Sequence, residues 1–361
     1  MKKFFQNTLA FIATIVSGLA LFSSTLMADN LKVALAAEPT SMDPHYQNLT
    51  INNSFATQVF NALVLQDVNQ NLIPGLASSW TPVDKNTWEF KLRPGVKFHN
   101  GASFSAEDVV ATMKRAANVP NSPSSFGTFI KGKTFEIIDD LTLHVSTEKP
   151  YPFTPNDMSR VAIIDSAFEN ATTEDFNTGK ATFGTGPFTF SKWMPGDLIE
   201  IKRNDNYWGS AVEWDSITIR PIKDGTTRTA ALISGDVDFI ERVAPADLPN
   251  LEKRDGIKVF RSVSNRLLYL TLHMTDNPIK PYVTDLNDNP IPSPFQDFRM
   301  RKAVSLAINR QAISDRVMDG LSSPSGQFSP KGYIGYSPNL NADQYDPSQA
   351  KTLMAEAGYG D

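Results

Sequence analysis

The stretch Leu76–Arg115, LASSWTPVDKNTWEFKLRPGVKFHNGASFSAEDVVATMKR, restricts the fold more than any other part of the chain. Thr87-Trp88-Glu89-Phe90-Lys91-Leu92 alternates polar and apolar side chains and predicts a half-buried strand. Arg93-Pro94-Gly95-Val96 breaks that strand, and Phe98-His99-Asn100-Gly101 supplies an Asn-Gly turn. Ser105 then precedes Asp108 by three residues, a near capping box in which a carboxylate sits over the orphan N–H groups of a helix. Val109, Val110 and Met113 form the apolar face of that helix.

This order of parts resembles the signature region of the large solute-binding proteins of ABC importers, the family that includes dipeptide, oligopeptide and nickel-chelate binders. Caps and alternation alone are common; the run Arg93–Phe98 together with Ala106-Glu107-Asp108-Val109 carries the resemblance. It extends to Glu38-Pro39-Thr40-Ser41-Met42-Asp43-Pro44, to Gly184-Thr185-Gly186-Pro187-Phe188 and to Asn204-Asp205-Asn206-Tyr207-Trp208-Gly209. Gly235-Asp236-Val237-Asp238, the run Arg299–Arg310 and the run Asp346–Tyr359 continue it. The resemblance implies an α/β fold, bilobal and similar to type II periplasmic binding proteins, with an inserted extra lobe and an incomplete third lobe. Lobe I is expected from residues 29–65 and 181–265, the inserted lobe II from 66–180, and a partial lobe III from 266–361. Family members continue well beyond the position of Asp361, so the chain reads as truncated at its C-terminal side, without the acidic group that meets the amino terminus of bound peptides.

Composition narrows the setting. Lys2 and Lys3, the apolar run from Leu9 to Phe22 and the small residues before Ala28 have the three regions of a secretory signal peptide, so residues 1–28 are expected to be removed. No other run approaches the ~20 apolar residues needed to span a bilayer. With no cysteine there is no lipidation site, disulfide or thiolate metal site, which favours a free periplasmic protein. The net charge of −5 becomes −7 when Lys2 and Lys3 leave, since residues 1–28 hold no acid; an acidic chain without a basic stripe argues against nucleic acid.

Outside the signature, Leu31–Leu35 reads as a strand, Ser54–Leu65 as a helix facing Phe55, Val59, Phe60 and Leu63 inward, and Phe135–Ile138 with Leu141–Val145 as a hairpin. Residues 151–180 read as irregular, Thr226–Ser234 as a helix and Leu267–Leu272 as a strand entering lobe III. Asn309 is expected to cap a helix that Gly320 ends, and Asp346 one that Gly358 ends. Gly184 and Gly186, lacking a Walker lysine or a GxGxxG frame, are expected to serve backbone conformation and not phosphate.

The resemblance also nominates ligand contacts. Asn48, Leu49 and Thr50 follow the Asp-Pro turn, Phe126 lies in the loop after the signature helix, and Glu241 and Arg242 follow the Gly-Asp-Val-Asp strand entry. The Glu–Arg pair either recognises a charged part of the ligand or pairs with itself at the surface. The expected role is capture of peptides by a monomer that delivers them to the membrane permease of an ABC importer and its ATPases, with no cofactor and no metal. Nickel chelate, haem and oligosaccharide remain alternative ligands, and a non-functional truncated member an alternative state. A hydrolytic enzyme is the rival of another class, but there is no Gly-x-Ser-x-Gly or HExxH pattern, and His45, His99, His144 and His273 are scattered.

Overall fold

The computed structural model describes residues 29–262, 264–275 and 283–360. The expected signal peptide, residues 1–28, lies outside them. Among the described residues no helix is long and apolar enough to cross a membrane.

In chain order the elements that matter here begin with β1 (Asn30–Leu35), α1 (Thr50–Val59), β2 (Val64–Gln66) and β3 (Leu72–Pro74). Next come β4 (Ala77–Pro82), β5 (Thr87–Leu92), α2 (Ala106–Ala116), β6 (Lys133–Asp139) and β7 (Thr142–Thr147). Then follow α3 (Thr154–Met158), α4 (Thr173–Asn177), β8 (Phe188–Met194), β9 (Leu198–Arg203), β10 (Ser216–Pro221), α5 (Gly225–Ser234) and β11 (Phe239–Ile240). Helices α6 (Phe298–Ala307) and α7 (Pro347–Glu356) come last.

Two larger sheets result. The first has strand order β11-β1-β10-β9-β8, with β1 parallel to both of its neighbours and the β10-β9-β8 side antiparallel. The second, β4-β5-β7-β6, is wholly antiparallel and is built from chain that leaves the first sheet after β1 and returns to it at β8. Each of the two larger sheets has its own core. Phe90, Leu92, Phe98, Val109, Met113 and Leu143 belong to the second, and Val33, Phe55, Val59, Ile199, Ile201 and Ile219 to the first. Ile164, Phe176 and Ala181, from the stretch leading back to β8, pack in the first core.

The signature stretch folds as its pattern predicts. Strand β5 covers Thr87–Leu92, and the capping box closes with the Ser105 amide donating to Asp108 Oδ2 at 2.8 Å. The hairpin registers Phe135 opposite Val145, and Asn309 caps the next turn by accepting from the Ala312 amide at 2.9 Å.

Four expectations are corrected. Helix α1 starts at Thr50 and stops at Val59; Leu63 and Val64 leave the helix because the carbonyls of Ala62 and Leu63 instead accept the amides of Leu76 and Ala77, at 3.1 and 2.8 Å. A continuing apolar run looks the same in sequence whether its backbone pairs locally or with a distant strand. Residues 151–180, read as irregular, carry three short regular pieces, α3, α4 and a 3₁₀ turn at Ser166–Phe168, each too short to show a period. Leu267–Leu272 is not a strand in the structure; Leu268 is 83% exposed and Leu270 66% exposed. A strand needs a neighbour for its amides and carbonyls, and the described residues offer this segment none. After Asn309 the chain makes one α turn and a π turn ending at Val317, a less regular helix than the pattern predicts.

Gly184 and Gly186 are required for a different reason from the one expected. Neither has a positive φ. Both press against the last turn of α1: the Gly186 amide donates to Val59 O at 2.9 Å, and a Cβ on Gly186 would lie 2.6 Å from Gln58 O. A Cβ on Gly184 would collide with Val59 O. Gly184→Ala should therefore lower the urea-derived unfolding free energy by about 2 kcal/mol, the size of an overpacking penalty, and an unchanged denaturation midpoint would show that α1 yields freely.

Candidate ligand-capture site

Parallel strands β1 and β11 end side by side, and in open α/β sheets the carboxyl ends of such strands border the binding crevice. Glu241 and Arg242 directly follow β11. Glu241 Oε1 accepts the Ala36 amide at 3.2 Å, one residue past the end of β1. Their backbone is held from beneath by Arg228 of α5, only 3% exposed. Its Nε donates to Glu241 O at 3.0 Å and its guanidinium nitrogens to Arg242 O at 2.9 Å and Ile222 O at 2.7 Å. Arg242 has φ of +53°, a conformation that costs a non-glycine residue energy and that these carbonyl bonds hold in place. At their side chains the pair is loose: Arg242 Nε stands 3.8 Å from Glu241 Oε1, and both groups reach solvent. Such a pair contributes little to stability and leaves its charges available.

Glu38, further along the chain from β1, accepts the Gly196 amide on both carboxylate oxygens, at 3.0 and 2.9 Å. With Pro221, Lys223 and Thr227 it lines an open depression at the end of β10.

Asn48, Leu49 and Thr50 sit at the other end of segment 36–50. Asn48 is half-buried; its amide donates to Ser124 O at 3.0 Å, and its side-chain oxygen accepts from Asn53 Nδ2 at 2.9 Å. Leu49 is exposed and stands at the N-cap of α1, without a side-chain cap, and the exposed Thr50 is the first residue of the helix. Glu241 contacts the start of segment 36–50 and the Asn48–Thr50 group forms its end.

Phe126 requires a correction. It is 1% exposed and belongs to the second core, edge-on to the His45 ring with centroids 6.2 Å apart. The ring packs against His45 and presents no accessible face. Loop aromatics that line a cleft and those that pack under their own loop are indistinguishable in one sequence.

Beneath the Asp-Pro turn lies a polar cluster that sequence reading missed. Asp43 is 2% exposed, His45 0% and Arg115 8%. Arg115 forks onto Asp43, NH1 to Oδ1 at 2.9 Å and NH2 to Oδ2 at 2.7 Å, and its plane lies over the Phe176 ring at 4.4 Å. The same NH1 meets His45 Nδ1 at 3.0 Å. A guanidinium only donates, so Nδ1 accepts, and Nε2–H donates to Ala162 O at 2.7 Å. The partners therefore assign a neutral imidazole. Burial, reinforced by the Arg115 charge, pushes His45 down to about 4. Burial also opposes the charge on Asp43, but the fork and charge of Arg115 outweigh it and hold that carboxyl below its ordinary range.

A signal for the cluster was present. Asp108, Thr112 and Arg115 stand at i, i+4 and i+7, which aligns them on one side of α2, and all three are buried. Asp108 accepts the Ser166 amide at 2.8 Å, Thr112 the Ile164 amide at 3.0 Å, and Arg115 donates to Ala171 O at 3.1 Å. This polar row stitches α2 to the chain returning toward the first sheet. His99 makes a second stitch: its Nδ1 accepts the Gly184 amide at 3.2 Å, its Nε2 donates to Gly186 O at 3.1 Å, and burial lowers its pKa.

Comparison with known proteins supplies the wider setting. The family model for bacterial extracellular solute-binding proteins, family 5 Middle, matches residues 71–361. The glutathione-binding protein GsiB of Pectobacterium atrosepticum is 29% identical over 350 residues, 96% of this chain and 65% of that protein. The Escherichia coli GsiB is 29% identical over 342 residues, 93% of this chain and 63% of that one. The chain thus spans about two thirds or less of the length of these relatives. Among solved structures, the periplasmic binding protein DppA of Helicobacter pylori in complex with the peptide STSA superposes with a TM-score of 0.74 at 24% identity, covering 92% of this chain and 67% of that one. NikZ of Campylobacter jejuni in complex with Ni(L-His) gives 0.73 at 23% identity, covering 91% and 63%. These likenesses establish the expected bilobal, type II-like α/β fold.

The buried histidine gives an acid sensitivity. In the unfolded chain a histidine binds its proton near 6.5, whereas His45 in the fold resists until about 4. The unfolded state therefore gains protons first as pH falls, and stability present above pH 6.5 is lost between 6.5 and 4, by roughly 3 kcal/mol in all. Urea melts at pH 7 and 4.5 should show this loss, and it should shrink in His45→Gln; equal pH dependence in the two proteins would contradict the assignment.

Proposed function

Because this chain belongs to the bacterial extracellular solute-binding proteins, family 5, we propose that it captures short peptides in the periplasm and presents them to the membrane permease of an ABC importer. The family is one of binding proteins and not of enzymes. The observation that carries the peptide reading is the Glu241–Arg242 pair. Its backbone is fixed by buried Arg228 beside the ends of two parallel strands, while its side chains are loosely paired and reach solvent. A peptide is a zwitterion, and an acid and a base on one fixed turn can meet its opposite charges through charge-assisted hydrogen bonds. Glutathione, the ligand in the names of the relatives GsiB, is a short peptide with two carboxylates that Arg242 can receive.

Asn48, Leu49 and Thr50 form the second wall in this reading. Capture proceeds by closure of the lobes around the solute, and the permease selects the closed form. Only differential binding is required, and no bond in the solute is broken. The lobe division proposed is 29–65 with 181–265, 66–180, and 266–361.

Isothermal titration of the exported protein with glutathione, the tetrapeptide Ser-Thr-Ser-Ala and the nickel–histidine chelate tests the reading. A peptide ligand should bind, and Arg242→Gln should weaken it at least about tenfold, the effect of removing one charge-assisted bond. Binding of the chelate alone, or unaltered peptide affinity in Arg242→Gln, would overturn the peptide assignment to this pair.

A further inference from the structure

We infer that Arg115 is a positioning residue for solute capture: through Asp43 and His45 it sets the backbone of segment 46–50, from which Asn48, Leu49 and Thr50 meet the ligand. This rests on the role proposed above for those three residues. The segment has no regular structure of its own before α1, so its conformation has to be imposed from outside. Asp43 is the node. Its Oδ1 accepts Arg115 NH1 and the His45 amide, at 2.9 Å each, and its Oδ2 accepts Arg115 NH2 at 2.7 Å and Thr173 Oγ1 at 2.9 Å. The carboxylate is thereby saturated and has no freedom to rotate.

Arg115 also grips the far side of Pro44, since NH1 is shared between Asp43 Oδ1 and His45 Nδ1. One guanidinium therefore fixes the residues on both sides of a proline whose own φ is already locked. The next residues are laid down on the same lobe: Ser122 Oγ donates to Tyr46 O at 2.6 Å, and the Asn48 amide reaches Ser124 O at 3.0 Å. The chain enters this path at the angle the Arg115 fork dictates. A lysine could match the charge but not the fork, the shared contact with His45 or the stacking on Phe176.

Stability and positioning can be separated. Removing one partner leaves a buried charge uncompensated, whereas removing both charges relieves it without restoring the fork. The full chain is compared as wild type, Arg115→Lys, and the double variant Asp43→Asn with Arg115→Met. Amide hydrogen exchange is read without ligand, and glutathione binding by titration. The double variant, in which His45 Nδ1 and Ala171 O lose a donor but no charge is stranded, should keep a cooperative melt; exchange at Tyr46–Asn48 should rise about tenfold, exchange at Ile199 and Ile201 should change far less, and glutathione binding should weaken by about tenfold as well. Arg115→Lys, which keeps the charge, should show the same pattern and decides the matter if the double variant does not fold.

Wild-type exchange at Tyr46–Asn48 in these variants would overturn the positioning role. Raised exchange with unchanged glutathione affinity would overturn its link to capture. A wild-type protein that binds no glutathione or peptide would count against the proposed function, and the exchange measurement, made without ligand, would still judge the anchor.

Discussion

The join between the two larger sheets centres on a buried ion pair between residues far apart in the chain. Asp43 and Arg115 each lie in a different part of the molecule, one just past the first strand of one sheet, the other at the end of the helix that covers the second. Burial makes this contact all-or-none: with both partners present every lone pair is met, and with one missing a desolvated charge remains at a cost of roughly 3–5 kcal/mol. An arginine suits the place because its fork matches both carboxylate oxygens while its plane lies over Phe176. His45 completes the cluster as a neutral acceptor, which is why it resists protonation.

Around that contact the two sheets are joined by directional bonds as well as by apolar packing. The polar row of α2 reaches three successive points on the returning chain, and His99 brackets Gly184 and Gly186 where they meet the last turn of α1. Buried polar groups of this sort accept few alternative geometries, since each would leave a group unpaired. The surfaces proposed above to face a solute are built in the opposite way. Glu241 and Arg242 have a rigid backbone and loosely paired side chains, and Leu49 and Thr50 stand exposed at an uncapped helix start. Rigidity below and unused polar capacity above is the combination that capture without chemistry needs.

The last hundred residues follow a different pattern. Helices α6 and α7 share a small core of Ala303, Leu306 and Ala350, fastened where the Asp346 amide meets Leu306 O at 2.9 Å. Leu268, Leu270 and Phe328 remain largely exposed, and the strand expected at Leu267–Leu272 has no neighbour among the described residues.

Features that depend on neighbours along the chain were legible in the order of residues alone. Strand β5 followed from alternation, which a half-buried strand shows whatever it pairs with; α2 followed from its Ser105–Asp108 box and the turn at Asn309 from its cap, because those two hydrogen bonds close within three residues. The membership of the family was legible for the same reason, through runs such as Arg93–Phe98. Tertiary structure alone decided what depends on residues remote in sequence. It ended α1 at Val59 by giving the Ala62 and Leu63 carbonyls to Leu76 and Ala77, put Phe126 against His45 in the second core, and required Gly184 and Gly186 because another backbone passes against them. It also assembled Asp43, His45 and Arg115, whose meeting is set by two sheets packing together and leaves only the i, i+4, i+7 row of α2 as its trace in the sequence.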